Sequence, residues 1–308
     1  MSPNERPETR TAADRTSVLV LPDDRILSYA TYGASDGPTL FFLNGTPGSR
    51  LMSDEFDGAM LAAGVRVIVP DRPGMGHSTF QPGRRVVDFA DDVDALADDL
   101  GLERFPVVGI SGGGPFALAC GARLTDRVTR IGLVCSLAPR RPLGPRPGAS
   151  VLDRVRFRSR GLYPVNLAEA IVQWIVTSER GLERVAESLP APDRETLRDD
   201  EFRERASASM REAFRSGIRG VATETHILNG DWGFDLHEVT CPVDVWHGVL
   251  DEEVPLRHGE YLAAQLPDAT LHVLDDEAHF SMMLRLDEVF PAALGDPTGA
   301  ADDWRSTA

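Results

Sequence analysis

Lysine is absent: all 32 basic residues are arginines, set against 48 acidic ones, for a net charge of −16 at pH 7. An acidic balance of that size argues against nucleic acid or anionic membrane surfaces as partners, since both carry the same sign. Cysteine is scarce as well. Cys120, Cys135 and Cys241 lie far apart and outside any Cys-x-x-Cys spacing. That speaks against a metal or disulfide framework and for a reducing, cytoplasmic setting. No apolar run approaches the roughly 18 residues of a membrane-crossing helix, so no membrane contact is expected. Residues 1–16 lack the apolar stretch of a secretory leader and read as a loose tail. No internal repeat is visible. What the chain does have is the material for a core. At 308 residues and 42% hydrophobic content it can hold one large α/β domain, with or without an inserted smaller one.

The most informative stretch is Val107-Val108-Gly109-Ile110-Ser111-Gly112-Gly113-Gly114-Pro115, followed by the Ala/Leu-rich Phe116-Ala117-Leu118-Ala119-Cys120. An apolar run that stops at Gly-x-Ser-x-Gly and resumes with helix formers reads as strand, sharp turn, helix. A serine at that turn is held in strained backbone angles that push its hydroxyl out of the sheet edge. Side chains two residues before and after would collide there, so Gly109 and Gly113 suit the geometry. Pro115 fits a first helical turn, where a missing N–H costs little. The helix start behind Ser111 offers amide N–H groups to an anion.

Apolar runs predict strands at 17–21, 26–32, 39–43, 65–69, 107–110, 131–135, 243–246 and 270–274, the first two joined as a hairpin. Helical spacing predicts helices at 52–63, 86–100, 257–266 and 281–294. Most acids of the 86–100 segment fall on its solvated face. Strand and helix alternate, which implies parallel strands with right-handed crossovers. After Leu137 the rhythm breaks at a Pro/Gly/Arg linker, and up to about Gly230 the pattern is helical only. The expected organisation is a tail over 1–16, a core of 17–137 and 231–294, a helical lid over 138–230, and a tail over 295–308.

Three polar residues then fall in loops at strand C-termini, where open parallel sheets carry their chemistry: Ser111, Asp251 and His279. A serine hydroxyl needs a base to take its proton, and an imidazole with an unperturbed pKa of about 6.5 suits that role. A buried carboxylate on the other ring nitrogen fixes the tautomer. Asp251 is preferred for this over its neighbours Glu252 and Glu253, and the loop Ser136-Leu137-Ala138-Pro139 offers no carboxylate. The order serine, acid, histidine is the one such a topology requires. The oxyanion formed on attack needs two donors. Gly112 N–H is one candidate, and Thr46 N–H, in the Asn44-Gly45-Thr46-Pro47-Gly48 loop, is the other. Asn44, His77, Trp174 and His226 are candidates for the substrate pocket. His247 is expected to pack, and His258 and His272 to lie on the surface.

These segments resemble the α/β-hydrolase superfamily, of the lid-bearing type. Asn44-Gly45-Thr46-Pro47-Gly48 is similar to its His-Gly-x-Pro-Gly loop. Asp71-Arg72-Pro73-Gly74-Met75-Gly76-His77-Ser78 is similar to its Asp-x-x-Gly-x-Gly-x-Ser loop, and Gly248-Val249-Leu250-Asp251-Glu252-Glu253-Val254-Pro255 to its Gly-x-x-Asp-x-x-Val-Pro. The resemblance implies an α/β-hydrolase fold: a mostly parallel eight-stranded sheet flanked by helices, with an inserted helical lid. It also implies a serine hydrolase that cleaves an ester or related acyl substrate, a small molecule, through an acyl-enzyme, with no metal or cofactor. Peptide, lactone or C–C bond chemistry, or ring closure, on the same triad is the alternative, and a non-catalytic ligand receptor a third. Two departures stand out. Asn44 replaces the family's histidine. Gly112 stands where relatives often carry a larger residue, which is expected to leave room for a bulkier acyl group.

Overall fold

Short runs such as Thr-Leu-Phe-Phe-Leu can serve a parallel sheet because every side chain, on either face, finds an apolar layer. The computed structural model, which describes residues 15–52, 54–144, 158–159 and 162–295, shows eight strands of this kind or of the alternating kind. They are β1 (Thr16–Val20), β2 (Ile26–Gly33), β3 (Thr39–Leu43), β4 (Arg66–Pro70), β5 (Phe105–Ile110), β6 (Val128–Val134), β7 (Val243–Gly248) and β8 (Ala269–Leu274). They form one sheet in the order β1-β2-β4-β3-β5-β6-β7-β8. The β1–β2 and β2–β4 pairs are antiparallel and all others parallel.

Residues of period two divide between two apolar layers. Phe41, Leu43 and Val107 face one layer, completed by Phe89, Val93, Phe116 and Leu118. Those residues come from helices α2 (Phe89–Asp99) and α3 (Gly114–Arg123), while α1 (Asp54–Ala62) serves the opposite face. There Leu40, Phe42 and Val108 meet Met60, Val289 and Phe290. The rings of Phe42 and Phe290 meet edge-on at 5.3 Å. Truncating a ring buried like Phe42 to alanine costs about 3–5 kcal/mol. Asp92 departs from the solvated face expected for the acids of α2: it is buried and pairs with Arg25 of the β1–β2 hairpin turn.

Between β6 and β7 no strand occurs among the described residues. The chain there forms α4 (Tyr163–Val176), α5 (Glu179–Ala186), α6 (Ala191–Arg198), α7 (Asp200–Ala213) and α8 (Arg219–Leu228). Capping side chains set where two of these helices start. Ser178 caps α5 by accepting from the Gly181 N–H at 3.2 Å, and Asp199 caps α7 by accepting from Phe202 N–H at 2.7 Å. Capping side chains of this kind offer the backbone a start that periodicity alone does not reveal. The insertion packs over the strand-end loops: Ala170, Phe214 and Val221 close on Met75, and Leu197 and Phe202 on Phe280. After β7 come α9 (Arg257–Gln265) and α10 (Leu286–Leu294), the latter preceded by a 3-10 turn over Ser281–Arg285. The expected tails and part of the linker, at 1–14, 145–157 and 296–308, lie outside the described residues. No helix among the described residues is long and apolar enough to cross a membrane.

Candidate active site

β5 is buried along its whole length and ends at Ile110, and Ser111 takes the left-handed conformation at φ +53°. A non-glycine residue in that region costs on the order of 1–3 kcal/mol, so the packed strand and helix on either side must impose it. The fit is close on both flanks. A Cβ on Gly113 would stand 2.0 Å from the Leu43 carbonyl oxygen, and one on Gly109 would stand 2.6 Å from that of Gly113. Pro115 sits in the first turn of α3.

Loops at the C-terminal ends of β5, β7 and β8 bring Ser111, Asp251 and His279 together. The Ser111 hydroxyl lies 3.0 Å from His279 Nε2, and His279 Nδ1 lies 2.8 Å from Asp251 Oδ2. Asp251 Oδ1 accepts from the Val254 N–H at 2.7 Å, which holds the carboxylate in its loop. Asp251 is fully buried at its side chain and His279 is 12% exposed. Burial works against both charged forms. The hydrogen bond and the attraction between the two outweigh it, so Asp251 is held below the ordinary carboxylate value and His279 above the ordinary imidazole value. The Cys135 thiol donates to the Ala278 carbonyl at 3.9 Å, and burial raises its pKa well above that of a free thiol. Cys135, Asp251 and His279 form the one cluster of metal-ligating groups among the described residues. Both imidazole nitrogens of this cluster are already engaged, Nδ1 with Asp251 and Nε2 with Ser111.

Two further residues act on these loops. His247 is fully buried and its Nε2 lies 2.7 Å from the Val254 carbonyl, so it packs as expected, beneath the Asp251 loop. Asp193 of α6 accepts three backbone N–H bonds from the histidine loop: His279 at 3.1 Å, Phe280 at 2.7 Å and Ser281 at 3.0 Å. In sequence it is an ordinary acid near a helix start. Burial outweighs those bonds and raises its pKa.

The Asn44–Gly48 loop runs beside the nucleophile: a Cβ on Gly45 would lie 3.3 Å from Ser111 Cβ. The room expected beside Gly112 is not there. A Cβ at that position would stand 2.3 Å from Thr46 Oγ1 and 2.9 Å from Thr46 Cβ, so the threonine side chain already fills the space. Thr46 Oγ1 in turn donates to Glu224 Oε1 of α8 at 2.6 Å. Arg72 donates to the Asn44 and Gly45 carbonyls at 2.6 and 2.7 Å and to both oxygens of Glu224. Arg84 reaches Glu224 Oε2 at 3.2 Å.

The four pocket candidates lie in four different settings. Asn44 is buried, and its side chain donates to the Ser49 carbonyl at 2.5 Å, shaping the loop from within. His77 stands 3.6 Å from Glu212 of α7. His226 Nδ1 lies 3.1 Å from the Asn166 amide, and Trp174 is 55% exposed on α4. His272, expected on the surface, stacks on Trp246 at 4.1 Å, and His258 Nδ1 accepts from Ala138 N–H at 3.1 Å. A cleft of about 530 Å³ between α5 and α7, lined in part by Glu179, Glu204 and Arg211, contains no triad residue.

The sequence profile described as alpha/beta hydrolase fold matches residues 38–286. Among curated relatives, the chain is 36% identical over 116 residues to the bifunctional esterase/perhydrolase DCH of Acinetobacter calcoaceticus, covering 36% of this chain and 41% of that protein. It is 27% identical over 276 residues to the putative carbamate hydrolase RutD of Caulobacter sp. (strain K31), covering 85% and 90%. Among solved structures, a hydrolase from Pseudomonas aeruginosa PA01 superposes with a TM-score of 0.67 at 22% identity, over 92% of this chain and 99% of that one. A thermophilic esterase from Thermogutta terrifontis gives 0.64 at 23% identity, over 92% and 98%. At those identities the structural likeness bears on the fold alone.

Proposed function

The chain belongs to the α/β-hydrolase fold family and is a hydrolase; from that premise we propose that it is a serine hydrolase acting on a small ester or related acyl substrate. Ser111 Oγ attacks the substrate carbonyl while its proton passes to His279 Nε2. Asp251 holds the Nδ1 proton, so that Nε2 is the free base, and stabilises the imidazolium that forms. The tetrahedral oxyanion is received by the N–H groups of Gly112 and Thr46. His279 then returns the proton to the departing alcohol, which leaves an acyl-Ser111. Water, deprotonated by the same imidazole, attacks that acyl group, and the second oxyanion collapses to the free acid and Ser111.

One observation carries this reading: the uninterrupted Ser111–His279–Asp251 chain, at 3.0 and 2.8 Å, behind a serine at φ +53°. The ester preference draws its support from the relative named an esterase/perhydrolase. Residues 138–230 serve as a lid, a role supported by the way their helices close on Met75 and Phe280. The three free, buried cysteines favour a cytoplasmic setting. A fluorophosphonate is expected to label Ser111, and Ser111→Ala to abolish turnover of p-nitrophenyl esters. Full activity in that variant would end the proposal.

A further inference from the structure

We propose that Arg72 and Glu224 are positioning residues of the oxyanion hole, so that the helical insertion contributes a side chain to the acyl-transfer step. The proposal rests on the serine-hydrolase reading and deepens it.

The Gly45–Thr46 peptide is trans, the cis bond in this loop being Thr46–Pro47. In a trans peptide the carbonyl and the following N–H point in opposite directions. Fixing the Gly45 carbonyl therefore fixes where the Thr46 N–H points. Arg72 does this from outside the loop, with Nη2 on the Gly45 carbonyl at 2.7 Å and Nη1 on the Asn44 carbonyl at 2.6 Å. A guanidinium can hold two consecutive carbonyls in this way because its donors are rigid and coplanar, which an ammonium group's are not.

The plane of Arg72 is set in turn by Glu224, whose Oε2 accepts from Nε at 2.8 Å and Oε1 from Nη2 at 2.7 Å. Glu224 also acts on Thr46 directly, accepting its hydroxyl at 2.6 Å. The Thr46 residue is thus gripped at its side chain by Glu224 and at its preceding carbonyl by Arg72. The side chains of Arg72, Glu224 and Arg84 are 1%, 0% and 0% exposed, so the charged groups of this network are shielded from water. Two guanidinium groups against one carboxylate leave net positive charge behind the loop, the sign that favours an oxyanion. Asp92, which also faces Arg84, is itself bound to Arg25.

A role limited to fastening the insertion would change stability and leave the transition state alone, and the two are separable. Thr46→Val, Glu224→Gln and Arg72→Lys are compared with the parent on a p-nitrophenyl ester for kcat and KM. Affinity for an aryl trifluoromethyl ketone, which forms a tetrahedral adduct on serine, is measured beside thermal unfolding. Loss of a whole oxyanion donor costs about 10²–10³ in rate, so its misdirection is expected to lower kcat by about tenfold to a hundredfold, with KM changed less than about threefold. The inhibition constant for the ketone is expected to rise by the same factor as kcat/KM falls, and Arg72→Lys to give no rescue. Parental kcat in folded Thr46→Val and Glu224→Gln, or a defect confined to KM, would overturn the proposal. If Glu224→Gln does not fold, Thr46→Val, which keeps the shape and the backbone N–H, decides. Ser111→Ala run alongside separates the two readings: full turnover there removes the serine mechanism, whereas an inactive Ser111→Ala beside fully active loop variants removes only the roles of Arg72 and Glu224.

Discussion

Replacing Gly112 with alanine adds one methyl group where Thr46 already stands. The new carbon would lie 2.3 Å from Thr46 Oγ1, 2.9 Å from Thr46 Cβ and 3.3 Å from Leu228 Cδ1. Ordinary contact between such atoms begins at about 3.5 Å, so the threonine must give way by about 1 Å. It cannot do so freely, because its hydroxyl is bound to Glu224 and its backbone belongs to the loop clamped by Arg72. A misplacement of about 1 Å in a catalytic group can cost about 10²-fold in rate, equivalent to about 2.7 kcal/mol of barrier. Overpacking should also lower stability by about 1–3 kcal/mol. The assay is p-nitrophenyl butyrate hydrolysis in a double-mutant cycle with Thr46→Gly, which removes the obstructing atoms. The double variant is expected to exceed the product of the single effects by about tenfold, because relief of the clash couples the two sites. Parental activity in Gly112→Ala, or strictly multiplicative effects in the cycle, would refute the reasoning.

Asp251→Asn is expected to lower kcat by about 10⁴, as loss of tautomer control does in such triads. In the parent, His279 must be neutral to act as base, and Asp251 holds its pKa above the ordinary 6.5. The acidic limb of the kcat/KM profile should therefore lie above pH 6.5. A limb below that value in the parent would contradict the pairing. Asp193→Ala should loosen the His279 loop, lowering the unfolding free energy by about 1–3 kcal/mol and kcat with it, while fluorophosphonate still reaches Ser111. Glu224 is fully buried, and although burial opposes its charge, Arg72 and Arg84 hold its pKa below the ordinary 4.5. A depressed carboxyl stabilises the fold above its unfolded-state value and loses that contribution as pH falls through the folded-state value. Denaturant midpoints should therefore fall less steeply below pH 4.5 in Glu224→Gln than in the parent.

The strands were legible because a short apolar run such as Thr39–Leu43, bounded by turn residues, suits a strand buried on both faces. The surroundings of Ser111 were legible because the turn, Gly109 and Gly113 are dictated by local backbone geometry. What escaped depends on partners remote in sequence. Glu224 and Asp193 look like ordinary helix acids until the insertion folds onto the loops that they serve. Gly112 misled for the same reason: the absence of a side chain says nothing about whether Thr46, from another loop, has moved into the gap. The helix starts at Ser178 and Asp199 were hidden because capping is decided by one side chain, and periodicity averages over several.

The insertion is fastened to the strand-end loops by acids on three successive helices: Asp193 of α6 under the histidine, Glu212 of α7 on Arg50, and Glu224 of α8 behind Thr46. A cover hinged to swing away as one piece would strip these loops of their partners each time it moved. The stretch before Asp193, with α4 and α5, carries none of these three acids. A chimaera that borrows this region from a relative would exchange the specificity of the pocket safely only if its graft ends before Asp193 and leaves all three fastenings in place.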